Sequence, residues 1–127
     1  MLYIKEAKGS VREVGEKLTA AAAANKFGVL VTHDLRQKMA DKGVEFHGQC
    51  LIFEVCNPMQ AKQVLEADPS ISTALPCRIS VYEEGGKVKV ATIKPTALLG
   101  LFGRHELDGA ALEVETAMIR MIDTACG

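Results

Sequence analysis

Residues 78–93 read RISVYEEGGKVKVATI. Two runs, 78–83 and 87–93, are rich in β-branched residues and flank Glu84-Gly85-Gly86. Glycines between two such runs are a strong signal for a hairpin, because a tight hairpin turn needs positive φ. Ile79 and Val81 are expected to pair with Val88 and Val90 on a buried face. An antiparallel hairpin in a chain that also carries helical patterns argues against strict βαβ alternation. It points to an α+β domain, with helices packed on one face of a mostly antiparallel sheet.

The rest of the chain agrees. Residues 2–6 (LYIKE) suit a first strand. Ser10 with Glu13 three positions later forms a capping box, and Val11, Val14, Leu18, Ala21 and Ala22 then fall on one helical face. Residues 28–33 (GVLVTH) are strand-like, and Asp34 with Gln37 opens a short helix that Gly43 stops. A long extended segment follows over 44–55, with its apolar second half, 51–55, as a central strand. Asn57-Pro58 starts another short helix, since Asn caps and Pro fits the first turn; Gln60 sits at the reciprocal capping position. That helix ends before Asp68-Pro69, and 69–76 reads as a loop. Residues 94–103 show no clean period. Leu107, Ala111, Val114, Met118, Met121, Ile122 and Ala125 make a continuous stripe for a last long helix, with Asp108 as its cap. The order is β-α-β-(α)-β-(α)-β-β-α, and 1–127 reads as one domain, since 127 residues fit one comfortably.

Composition excludes several functions. Fifteen basic and sixteen acidic residues leave a net charge of -1, with no run of four Lys and Arg to meet phosphates. Four Phe, two Tyr and no Trp offer no series for base stacking, so nucleic acid is not an expected partner. No apolar run approaches the roughly 20 residues that span a membrane. The N-terminal residues MLYIKEAKGS lack the apolar core of a signal peptide, so the expected location is the cytoplasm. Thiols stay reduced there, and the four Cys are read as free thiols, metal ligands or redox groups before disulfides.

Cys56 and Cys77 lead the candidates. They stand at the end of the third strand and the start of the fourth, so antiparallel pairing would bring them to one edge of the sheet. Cys56 also precedes the helix capped by Asn57, where a thiol can gain acidity. Packing as small buried apolar residues is the competing explanation. Arg78, next to Cys77, and His47 complete the candidate set. Cys50 and Cys56, six apart in an extended segment, lie roughly 20 Å from each other and cannot share an ion. His47 and Cys50 have ligand-pair spacing but face opposite ways in a strand. No metal site is expected, because the clustered pairs of zinc sites are missing. Cys126, beside the C-terminus, is discounted as frayed or incidental. No Ser-His-Asp order, P-loop or dinucleotide fingerprint is present, so there is no recognisable catalytic constellation and no cofactor is indicated. The apolar run 97–102 (ALLGLF) either packs inside or lines a pocket or subunit interface.

Several segments recur together in a known family. They are Phe27-Gly28-Val29, Asp34-Leu35 through Lys42-Gly43, Val55-Cys56-Asn57-Pro58, Ala61, Leu75-Pro76-Cys77-Arg78, Val81-Tyr82-Glu83, Val88, Val90 and Pro95. In this the chain resembles uncharacterised domain family 302, over nearly its whole length. The resemblance implies a β-α-β(4)-α fold, similar to one repeat of the TATA-binding protein fold, and a homodimer. It implies no activity. It does not carry DNA binding either, because function belongs to sites and this chain has neither a basic face nor wedge residues. Two functions are therefore expected to compete. One is a homodimeric module binding a small apolar ligand in a groove near 97–102, with Cys56, Asn57 and Cys77 at its polar end. The other is a thiol-based redox or sulfur-handling protein using Cys56 and Cys77, or a metal-binding variant of it.

Overall fold

The computed structural model describes all residues, Met1–Gly127. Five strands, β1 (Leu2–Ala7), β2 (Gly28–Asp34), β3 (Cys50–Cys56), β4 (Cys77–Glu84) and β5 (Lys87–Ile93), form one sheet in the order β1-β5-β4-β3-β2. Every neighbouring pair is antiparallel. Two long helices, α1 (Val11–Ala24) and α5 (Asp108–Cys126), pack on one face of it. Three short helices are inserted: α2 (Leu35–Asp41), α3 (Pro58–Ala67) and α4 (Pro95–Gly100). The fold is therefore α+β, with the order β-α-β(4)-α once the insertions are set aside.

The hairpin is as tight as its sequence demands. Glu84 pairs with Lys87, so Gly85 and Gly86 alone turn the chain, with φ of 59° and 76°. Two successive positive φ values are the type I′ turn, which matches the twist of the flanking strands. Val81 pairs with Val90 as expected, but Val88 faces Glu83, so Ile79 and Val88 share a face without being paired. Thr92 sits buried beside this layer, its hydroxyl donating to the Arg78 carbonyl at 2.7 Å.

The main core joins α1, α5 and the helix-side residues of the sheet, including Leu18, Phe53, Val55, Ile79, Val81 and Val90. All seven residues of the expected stripe are buried, six on α5 and Leu107 in the 3-10 turn just before it. The Ser10–Glu13 capping box is present in both directions, at 3.1 and 3.2 Å, and Asp34 caps α2 through the Gln37 amide at 3.1 Å. Across the end of α5, Asp123 accepts from the Tyr3 hydroxyl and from Lys5, tying α5 to β1. Tyr3 is pushed up to about 12 by that hydrogen bond first and by burial second. A smaller second core, Val64, Ile71, Leu107 and Ala110, fastens α3 to the start of α5.

Five expectations need correction. The segment 44–49 is irregular and β3 begins only at Cys50. Residues 69–74 are a 3-10 turn rather than loop: Asp68 accepts from the Ser70 amide at 3.0 Å and Ile71 is buried in the second core. Residues 95–100 form α4, whose first turn is held from outside, by Glu115 of α5 accepting from the Thr96 amide and hydroxyl at 3.1 and 2.6 Å. Asp108 is the first residue of α5 and does not cap it. Cys126 is not frayed: it is 5% exposed, inside the core, with its thiol 3.9 Å from the Lys5 carbonyl oxygen.

The opposite sheet face carries no helix over its centre. Strand alternation places Leu2, Ile4, Ala91 and Ile93 there, contiguous across β1 and β5. Leu2, Ile4 and Ile93 are about half exposed. The far end of β1 and β5, with the end of β4, carries Glu6, Glu84, Lys87 and Lys89 in matched pairs, Lys87 with Glu6 at 3.3 Å and Lys89 with Glu84 at 2.7 Å. No helix is long and apolar enough to cross a membrane.

Candidate functional site

Antiparallel pairing of β3 and β4 sets Val55 opposite Cys77, so Cys56 and Cys77 stand at the same end of the sheet. The chain between these strands is not a short loop. It runs out as α3, returns through the 3-10 turn and the Leu75-Pro76 bond, which is cis, and re-enters the sheet at Cys77. This excursion, with α4 and α5, encloses a cavity of about 310 Å³.

Its walls are mostly apolar. Val55 comes from β3, Val64 from α3, Pro95, Leu98 and Leu99 from α4, and Val114 from α5. Leu98 and Leu99 belong to the apolar run 97–102, which thus divides its work. Phe102 and Leu99 pack on the second core, while Leu101 is 78% exposed. The polar residues at the cavity are Cys56, Asn57, Gln60, Thr73, Cys77 and Arg78. Of the candidate residues, the fold brings Cys56, Asn57, Cys77 and Arg78 to this wall.

His47 does not join them. It lies before the start of β3, at the opposite end of that strand from Cys56, and the strand itself is about 20 Å long. Its side chain is 82% exposed and meets only Glu45, at 3.5 Å. The reason is that the strand starts later than its sequence pattern suggests, leaving His47 in solvent.

Electrostatics separates the thiols from the reactive kind. Cys56 and Cys77 are free. Burial pushes both thiols up, Cys77 to about 11, with the neighbouring Cys56 adding to the effect. The acidifying influence expected from the α3 N-terminus does not show; desolvation of the thiolate raises Cys56 instead. Nowhere do three or more His, Cys, Asp or Glu side chains converge to hold a metal ion. Arg78 pairs with Glu54 on the open face, at 3.2 Å. Glu54 also meets His33 Nε2 at 3.4 Å, and the other nitrogen of that ring accepts from Lys38.

Gln60 is the residue that sequence reading assigned a smaller part. Asn57 caps α3 by accepting from the Gln60 amide at 3.3 Å, as expected. The reciprocal half of the box is absent, because the Gln60 side chain reaches instead to Glu113 of α5, donating from Nε2 at 3.0 Å. Its Oε1 is left buried with no partner, alone among the buried side-chain polar atoms of the chain. No local spacing signals this, since Glu113 lies 53 residues away.

The domain-of-unknown-function family DUF302 matches residues 3–125. The chain belongs to this family. Among solved structures it is similar to the crystal structure of an uncharacterized conserved DUF302 protein from Bacillus stearothermophilus. The two share 31% identity and a TM-score of 0.93, over 99% of this chain and 98% of that one. No curated protein matches. Membership in DUF302 thus accounts for the fold and assigns no chemistry, so the site has to be judged on its own geometry.

Proposed function

We propose that this DUF302 protein is a binding module for a small, largely apolar molecule held between α3, α4 and the ends of β3 and β4. The observation that carries the reading is the cavity of about 310 Å³, apolar along most of its wall with hydrogen-bonding groups gathered on one side. That is the build of a small-molecule site, at the lower end of the usual range of about 300–1,000 Å³. The thiol-redox alternative finds less support. A thiolate is the nucleophile in such chemistry, and burial opposes its formation at both Cys56 and Cys77. A metal-binding variant lacks a third ligand.

The test is a fluorescence titration with N-phenyl-1-naphthylamine, a neutral apolar probe. Saturable binding is expected, and Ala61→Phe, which fills the cavity from α3, abolishes it while the far-UV spectrum stays unchanged. Absence of saturable binding, or equal binding by the filled variant, overturns the proposal.

A second copy of the chain is the occupant we propose for the open sheet face. Leu2, Ile4, Ala91 and Ile93 supply a contiguous apolar half, and the charges of the other half are already matched in pairs. Two copies related by a two-fold axis can therefore meet without net repulsion. Ile93 also lines the cavity, so such pairing is continuous with the ligand site. Sedimentation equilibrium is expected to show a dimer that Ile4→Lys dissociates. A monomeric wild type at high concentration refutes it.

A further inference from the structure

Resting on the pocket reading above, we infer that the ligand is uncharged and presents a hydrogen-bond donor to Oε1 of Gln60. Which end of this amide faces α5 is set from behind. Glu113 Oε2 can only accept, so the NH2 group faces it and Oε1 is turned away from α5's carboxylate. Oε1 then has no partner in the protein and is shielded from water. Buried acceptors are paired in the great majority of cases, and this exception borders the cavity. The terminal amide torsion of Gln is soft, so a modest turn offers Oε1 to a molecule entering the cavity it borders.

Gln60's neighbours restrict the head group further. The side-chain oxygen of Asn57 is engaged with the Gln60 amide, and its NH2 group makes no bond to the protein. The thiols of Cys56 and Cys77 are held neutral by burial. Arg78 is the only charged residue at the cavity, and its guanidinium is engaged by Glu54. A cation would thus enter without a counter-charge, and an anion would have to share an arginine already paired with Glu54, so desolvating either is unfavourable. The site instead offers an acceptor at Gln60 and a donor at Asn57. A primary amide or a hydroxyl on an apolar body complements both.

The experiment displaces N-phenyl-1-naphthylamine with four probes that share a six-carbon chain: hexanamide, 1-hexanol, hexyl methyl ether and hexanoate. Hexanamide and 1-hexanol are expected to compete at least about tenfold better than the ether, which accepts but cannot donate, and than hexanoate, which is charged. Gln60→Met keeps side-chain length and removes the acceptor. In it the advantage of 1-hexanol over the ether disappears while the ether still binds. Equal competition by the ether or by hexanoate in the wild type overturns the inference with no variant needed. A donor preference that survives Gln60→Met overturns it as well. Should the fluorescent probe bind and none of the four displace it, the head-group inference fails alone; should the fluorescent probe itself not bind, the pocket reading falls with it.

Discussion

Gly15 sits on the buried side of α1, where the helix lies against β3. A Cβ built there would stand 2.8 Å from Cζ of Phe53 and 3.6 Å from Cδ1 of Leu51. Phe53 is 4% exposed and its ring is wedged in the main core, so it cannot swing aside as a flexible chain end would. Ordinary contact begins near 3.4 Å, so Gly15→Ala must separate helix and ring by about 0.6 Å. Two effects oppose each other. Replacing Gly by Ala inside a helix stabilises by about 1 kcal/mol. Overpacking a close-packed core costs about 1–3 kcal/mol. The net expectation is destabilisation by up to about 2 kcal/mol, read from urea denaturation followed by far-UV circular dichroism. Gly109, in the first turn of α5 with open space around its Cβ position, is the control, and Gly109→Ala is expected to stabilise slightly. Phe53→Leu, which shortens the opposing side chain, is expected to remove the penalty of Gly15→Ala in a double-mutant cycle. A Gly15→Ala protein stabilised as much as Gly109→Ala would refute this account of how closely α1 packs on the sheet.

Three further outcomes are expected. Asp123 is held below the usual carboxylate range by the Tyr3 hydroxyl first and then by Lys5, so its contribution is present above the unfolded value and lost as pH falls through the lowered one. Tyr3, raised to about 12, contributes below its unfolded value near 10 and loses that contribution as pH rises towards 12. Asp123→Asn should flatten both arms of a stability-against-pH curve, and an unchanged curve contradicts the coupling. Iodoacetamide should alkylate Cys56 and Cys77 at pH 7.5 more slowly than free cysteine, because both thiols are raised by burial; faster modification of either would restore thiol chemistry as the leading function. Ser10→Ala removes one half of the capping box and should lower stability by about 0.5–2 kcal/mol in the same urea assay, with no measurable change counting against the cap.

What the sequence reveals here depends on how local the cause is. The Gly85-Gly86 turn and the α5 stripe are written in neighbouring residues, and both stand in the structure as read. So is the placement of Cys56 beside Cys77, once β3 and β4 are taken as antiparallel. α4 escapes notice because its start is held by Glu115, 19 residues on. Burial of Cys126 follows from α5 packing across β1, not from its place near the chain end. His47 reads as part of an extended segment, 44–55, that the chain adopts only from Cys50. Gln60 shows the same limit at the site itself. Its spacing from Asn57 announces a cap, while its partner on α5 and its unpaired oxygen exist only in three dimensions.

The cavity claim is tested most directly by NMR titration of the ¹⁵N-labelled protein with N-phenyl-1-naphthylamine. The account predicts saturable shifts concentrated at Cys56, Asn57, Gln60, Leu98 and Leu99, the backbone positions around the cavity. Shifts confined to Leu2, Ile4 and Ala91 on the open sheet face, or no saturable shifts at all, would contradict it.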